Sequence, residues 1–133
     1  MQLNHLNNII NNLLLNSLSI LKDKDYQKNV WFKNLGTDES FPSETIDHFL
    51  DNAEKILNDE SCTQQLGDQN FSLLKQLHGK IKSHIDSLEA TIDIDCIEED
   101  VFLDDPRWIS IQAVSGELYL KLTKFVLRNT NEK

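Results

Sequence analysis

Long runs of apolar residues at helical spacing, with very few turn-forming residues between them, constrain this fold more than any other feature. The 133 residues include only four glycines and two prolines. A β-sandwich or barrel needs many tight turns and normally uses more of both residues, so the sequence favours a few long elements. With 39% hydrophobic and 26% charged residues, the composition is that of an ordinary globular domain. We predict an all-α fold, a single-domain antiparallel bundle of four to five helices over residues 1–133.

Apolar side chains recur every three or four residues in several segments, which is the spacing of an amphipathic helix. These segments lie at about residues 2–21, from 23 or 25 to 35, 43–58, from 68 or 70 to 89, and from 106 onward. The first is rich in asparagine, a mediocre helix former, so packing rather than intrinsic propensity must hold it. We therefore also consider helix 2–21 as a separate packing or interface element.

Several helix boundaries follow from residues with known capping preferences. Ser43 is suited to N-cap the helix that follows it. Asp105 followed by Pro106 is typical of an N-cap and the first helical position. Between helices, we expect a loop at residues 59–67, and at residues 91–104 a loop with a single helical turn.

The negative charge is concentrated in two stretches of the chain. Residues 38–60 hold eight acids and one base, and residues 86–105 hold nine acids and no base, within a net charge of −9. Phosphate binding depends on lysine and arginine, so nucleic acid is not an expected partner, and an anionic membrane would be repelled as well. Such blocks instead steer a basic protein partner, although a solvated acidic face that aids solubility is the plainer interpretation.

The chain shows no feature of a secreted or membrane-inserted protein. No apolar run is long enough to span a bilayer, and asparagines interrupt the apolar residues near the N-terminus. Cys62 and Cys96 lack a local pairing motif, which suggests free thiols in a reducing compartment. We expect a cytoplasmic protein.

No motif for catalysis or cofactor binding is found. The sequence has no glycine-rich phosphate loop, no nucleophile elbow and no helical histidine–glutamate metal motif. A zinc site formed by Cys62, His78, His84 and Cys96 is disfavoured, because structural zinc sites normally pair their ligands at short spacing. We predict a protein that is not an enzyme and holds no cofactor or metal.

Two acidic surfaces are the candidate partner-binding sites. One lies on the outer face of the third predicted helix, and the other precedes the last helix and adjoins a tryptophan. The tryptophan is either a core residue or an interface anchor. The candidate contact residues are Asp47, Asp51 and Glu54 on the first surface, and Glu98, Glu99, Asp100 and Trp108 on the second.

Four segments resemble a known class of proteins. They are LKDKDYQKNVWF, FPSETIDHFLDNAEKILND, FSLLKQLHGKI and DDPRWISIQAVSGELYLKL, and the resemblance covers about residues 22–125. They resemble the small acidic bacterial immunity proteins of polymorphic and contact-dependent toxin systems. The resemblance implies a protein that neutralises a cognate toxin, nucleases included, by covering its basic cleft with carboxylates.

Two other functions remain open at this point. The apolar stripe of the first helix, which includes Ile9, Leu15 and Ile20, is long enough to exceed what one bundle can bury. The main alternative is therefore a helical adaptor or regulatory domain that homo-oligomerises through this helix, for example as a homodimer. The other is a metal-dependent enzyme or metal carrier that uses the acidic clusters.

Overall fold

Helices account for the regular structure, as the apolar periodicity predicts. The computed structural model describes residues 2–32 and 42–131, and within these ranges it contains no β-strand. The all-α class is therefore confirmed. The helices are divided more finely than the predicted four or five, with short segments between the long ones.

The N-terminal asparagine-rich segment is one continuous helical stretch with a wider turn in its middle. It consists of α1 (Gln2–Ile9), a π-helical segment (Ile10–Leu14) and α2 (Leu15–Leu21). A turn then separates it from α3 (Lys24–Tyr26), which continues into a second π-helical segment (Gln27–Phe32). The Asp23 carboxylate caps α3 by accepting a hydrogen bond from the Tyr26 backbone N–H at 3.0 Å, so this helix begins at the first of the two predicted starting points, residues 23 and 25. The predicted end of this helix near residue 35 lies outside the described residues.

The middle of the chain contains α4 (Pro42–Leu57), α5 (Glu60–Leu66) and α6 (Asp68–Glu89). Helix α5 corrects the predicted loop at residues 59–67. Asp59 caps it by accepting hydrogen bonds from the Ser61 and Cys62 N–H groups, and Gly67 ends it at a positive φ of 92°. Cys62 is consequently buried in a helix rather than placed in a loop.

The C-terminal part begins with a 3₁₀ turn (Ile94–Cys96), followed by α7 (Glu99–Leu103) and α8 (Pro106–Asn131). Residues 91–104 thus contain two short helical elements, where the sequence predicted a loop with a single helical turn. Asp105 accepts a hydrogen bond from the Arg107 N–H at 2.8 Å, so the predicted start of the last helix is confirmed.

The buried apolar residues form one cluster that runs from Leu6 to Val126. Helix α8 packs against both α2 and α6 and lies at the centre of this arrangement. The apolar stripe of the first helix faces the cluster, with Leu6, Ile10 and Leu14 fully buried. Within the described part of the chain, no helix is both long and apolar enough to cross a membrane.

Candidate functional site

Two of the predicted contact residues lie on the exposed side of α4. Asp47 and Asp51 are one helical turn apart, so their carboxylates share a face of the helix. Both residues are exposed, and no cation lies within ion-pair distance of either one in the ranges that the structure describes. Lys55, one turn beyond Asp51, does not pair with it. These two carboxylates therefore leave their negative charge uncompensated.

Glu54, the third predicted contact on α4, has a different environment. Its Oε2 lies 2.9 Å from Nε2 of His78 on α6, and the residue is only partly exposed. The contact joins α4 to α6. Glu54 therefore lies at the edge of this surface, with part of its hydrogen-bonding capacity already used.

Asp95 joins the two acidic stretches in space. Its carboxylate accepts hydrogen bonds from the Ser43 backbone N–H at 3.1 Å and from the Ser43 hydroxyl at 2.7 Å. Ser43 lies inside the first turn of α4 instead of capping it, which corrects the predicted N-cap. The carboxylate that satisfies this turn comes from a residue 52 positions away, and it also interacts favourably with the helix dipole.

The pKa of Asp47 reflects both partial burial and nearby negative charge. It is raised above its ordinary value, first by partial burial of the carboxyl group within an otherwise exposed residue, then by the charges of Asp51 and Asp95. Like charges disfavour ionisation because each carboxylate raises the energy of the others. Asp51 and Asp95 thus both act on Asp47, and we call these three residues the α4 acidic surface.

The second predicted surface is partly neutralised by lysines from the α3 region. Glu99 lies 3.9 Å from the Lys28 ammonium group, and Asp104 lies 3.6 Å from that of Lys24. Asp100 accepts a hydrogen bond from the adjacent Val101 N–H, and Glu98 is at the N-cap position of α7 without a side-chain cap bond. The structure therefore gives this surface less uncompensated charge than the α4 acidic surface.

Trp108 is a core residue, which corrects its place among the contact residues. Its side chain is 0% exposed, and its ring centroid is 4.5 Å from that of Phe102. Its indole Nε1–H donates to Oε1 of Gln27 at 3.0 Å. A partner cannot reach a side chain that is both enclosed and already hydrogen-bonded.

Gln27 is the buried residue that the sequence pattern did not reveal. It is 0% exposed, and its amide nitrogen donates to the carbonyl oxygens of Ile20 and Leu21, each at 2.8 Å. Its amide oxygen accepts from Trp108 and from Gln112 Nε2, the latter at 2.7 Å. The side chain of Gln27 thus hydrogen-bonds two backbone carbonyl groups at the end of α2 and links this end to α8.

The structure offers no metal centre within its described residues. No group of three or more histidine, cysteine, aspartate or glutamate side chains is arranged to hold a metal ion there. Cys62 and Cys96 are free thiols, the first buried and the second exposed. Comparisons with protein-family models, with curated proteins and with solved structures found no match.

Proposed function

We propose that this chain is a non-catalytic protein-binding protein, an immunity protein that neutralises a cognate bacterial toxin through an acidic surface. The observation that carries the proposal is the α4 acidic surface, where Asp51 and Asp95, from two separate acidic stretches, act on Asp47 and no cation among the described residues forms an ion pair with any of the three. Toxins that cleave nucleic acid need a basic cleft, and carboxylates on a folded surface can occupy the positions that phosphates take in such a cleft.

The charge arrangement supports rapid and selective association. Clustered like charges generate a field that steers an oppositely charged partner, and steering raises association rates by about 10- to 1000-fold at low salt. A fixed surface also avoids the entropic cost of ordering a flexible acidic tail. We therefore propose that Asp47 and Asp51 contact the partner first. Asp95 is a further contact residue that the sequence analysis did not include, and Glu54 lies at the edge of the surface.

Tight binding also requires apolar anchors, and the structure changes which residues supply them. Trp108 is buried, whereas Ile92 and Val101, which lie within the second acidic stretch, are 40% and 54% exposed. We propose these two side chains as anchors in place of Trp108. Glu98, Glu99 and Asp100 would then contribute to the polar rim around them.

The alternative, a helical adaptor that homodimerises through helix 2–21, loses its main support. The described apolar side chains of that helix are buried or packed against the core, including Ile9, Leu15 and Ile20. We retain self-association as an outcome of the experiment below. The proposed cellular setting is a bacterial cytoplasm, in keeping with the two free thiols.

The experiment is capture of partners from a lysate of the source cells by the tagged chain, at low and at high salt. We expect one basic protein to be recovered at low salt and reduced at high salt, because screening weakens exposed charge interactions. The variant Asp47→Asn/Asp51→Asn should recover much less of it. The control Asp68→Asn/Glu117→Gln has the same net charge but alters acids on α6 and α8, and it should bind normally. Recovery of this chain alone, with a dimer in solution, would favour the adaptor instead.

A further inference from the structure

A second region of the molecule has the chemistry of a ligand site, and it does not involve the α4 acidic surface. A cleft of about 460 Å³ lies between α6 and the start of α8. Helix α6 contributes Lys80, Ser83, His84 and Ser87, which recur at helical spacing and so share one face. Helix α8 contributes Arg107 and Ser110. The volume is in the range of small-molecule sites.

The inner wall of this cleft contains a buried histidine without a hydrogen-bond partner. His84 is 3% exposed, and neither of its ring nitrogens is hydrogen-bonded within the part of the chain that the structure describes. Its ring stacks against Phe102, with centroids 6.5 Å apart. Buried polar atoms in native proteins are nearly always paired, so an unpaired imidazole at a cleft suggests a missing partner.

The imidazole is neutral at pH 7 and supplies one N–H donor. Burial lowers the pKa of His84, and the nearby Arg107 lowers it further, while Asp105 acts in the opposite direction. A neutral imidazole has one donor nitrogen and one acceptor nitrogen. His84 therefore adds a donor to the cleft without adding charge.

The remaining lining is rich in donors and has no carboxylate. Lys80 and Arg107 are cationic, and three serine hydroxyls can donate as well. Asp105, just outside the lining, holds the Arg107 guanidinium through contacts of 2.9 and 3.2 Å, which leaves other guanidinium N–H groups free. By contrast, two clefts near the start of α6 both include Asp68. Although the chain as a whole has a net charge of −9, the two cations and the hydrogen-bond donors of this cleft favour an anion.

We propose that this cleft binds a small phosphate monoester, with Lys80 and Arg107 on the phosphoryl oxygens and the serine hydroxyls around them. A phosphoryl group presents three acceptor oxygens, whereas a carboxylate presents two. The phosphoryl group can therefore accept hydrogen bonds from more of the donors that converge from the two helices. The apolar part of the ligand would lie toward Pro106. This inference is independent of the proposed toxin partner.

The test is a titration of the ¹⁵N-labelled full chain with inorganic phosphate and with phenyl phosphate at pH 7.5 and constant ionic strength. We expect saturable amide shifts confined to residues 80–87 and 107–110, with phenyl phosphate binding more tightly. Acetate at the same concentration should give no saturable shift. Shifts that never saturate, or that acetate reproduces, would overturn the proposal.

Matched variants separate ligand binding from effects on folding. Lys80→Gln should weaken phenyl phosphate binding about fivefold through loss of a charge-assisted hydrogen bond. Lys82→Gln, an exposed position on the same helix but outside the cleft, should leave the affinity unchanged. His84→Phe preserves an aromatic ring in the wall, so weaker binding by this variant while it remains folded supports a role for the ring nitrogens. Equal losses for Lys80→Gln and Lys82→Gln would show only a general charge effect and contradict the site.

Discussion

Replacing Gln27 by leucine tests the buried hydrogen-bond network that joins α2 to α8. The amide of Gln27 donates to the carbonyls of Ile20 and Leu21 and accepts from Trp108 and Gln112. Leucine has a similar volume but can form none of these bonds. The substitution therefore removes the polar partners with little change in packing volume.

The expected loss in the free energy of unfolding depends on which of the former partners of Gln27 can be hydrogen-bonded by water in the variant. The bonds to Leu21 and from Trp108 are buried, whereas those to Ile20 and from Gln112 are partly accessible. Each buried group left unpaired costs about 1–3 kcal/mol, and the leucine side chain offsets part of this by its own burial. We expect the free energy of unfolding to fall by about 3 kcal/mol, which is a large part of the 5–15 kcal/mol typical of a domain.

The assay is urea unfolding followed by far-ultraviolet circular dichroism and by tryptophan fluorescence. The two signals should change together, and Trp108 reports directly on the altered site. Gln112→Leu serves as the control, because it removes only a partly accessible donor and leaves the bond from Trp108 to Gln27 in place, so a loss of about 1 kcal/mol or less is expected. A loss below about 1 kcal/mol for Gln27→Leu would refute the reasoning, since the amide could not then be satisfying buried groups.

Three further predictions concern titratable side chains. Burial raises the pKa of Asp47, and repulsion from Asp51 and Asp95 raises it further, so its ionised form disfavours the fold above the carboxyl pKa. In urea unfolding, Asp47→Asn should therefore stabilise by about 0.3 kcal/mol at pH 7 and low salt and have no effect at pH 2. Burial lowers the pKa of His84, so its contribution to stability is fully present above the ordinary histidine pKa of about 6.5 and is lost as the pH falls below that value towards the lowered pKa. His84→Phe should flatten this part of the stability profile in urea unfolding at pH 7.5 and 5.5, and an unchanged slope would contradict the reasoning. Burial raises the pKa of the Cys62 thiol, so a thiol reagent should modify Cys96 rapidly and Cys62 only slowly, and equal rates would be inconsistent with this structure.

Local signals in the sequence predicted much of the fold. The apolar spacing of α6 matches the helix Asp68–Glu89, and the pair Asp105 and Pro106 marks the start of α8. Helix α5 was missed because its seven residues are too few for periodicity to be read, although Asp59 and Gly67 are suited to its two ends. Short helices depend on their tertiary contacts, which a single sequence does not display.

The candidate site was harder to predict than the helices, because it depends on contacts between residues that are distant in the sequence. The acidic stretches were visible in the sequence, but their meeting depends on Asp95 reaching Ser43 across 52 positions. Trp108 looked equally suited to a core and to an interface until its bond to Gln27, 81 positions away, was known. Partial neutralisation of Glu99 by Lys28 likewise follows from packing and not from local sequence.

The central claim is that the α4 acidic surface captures a basic protein partner, and association kinetics test it most directly. The rate constants for the protein recovered by capture would be measured with the unaltered chain, with Asp47→Asn/Asp51→Asn and with Asp68→Asn/Glu117→Gln, across a range of salt concentrations. We predict that the first double variant lowers the association rate constant about tenfold at low salt and reduces its salt dependence, while the second behaves like the unaltered chain. Equal effects of the two double variants, or no effect of either, would contradict the claim.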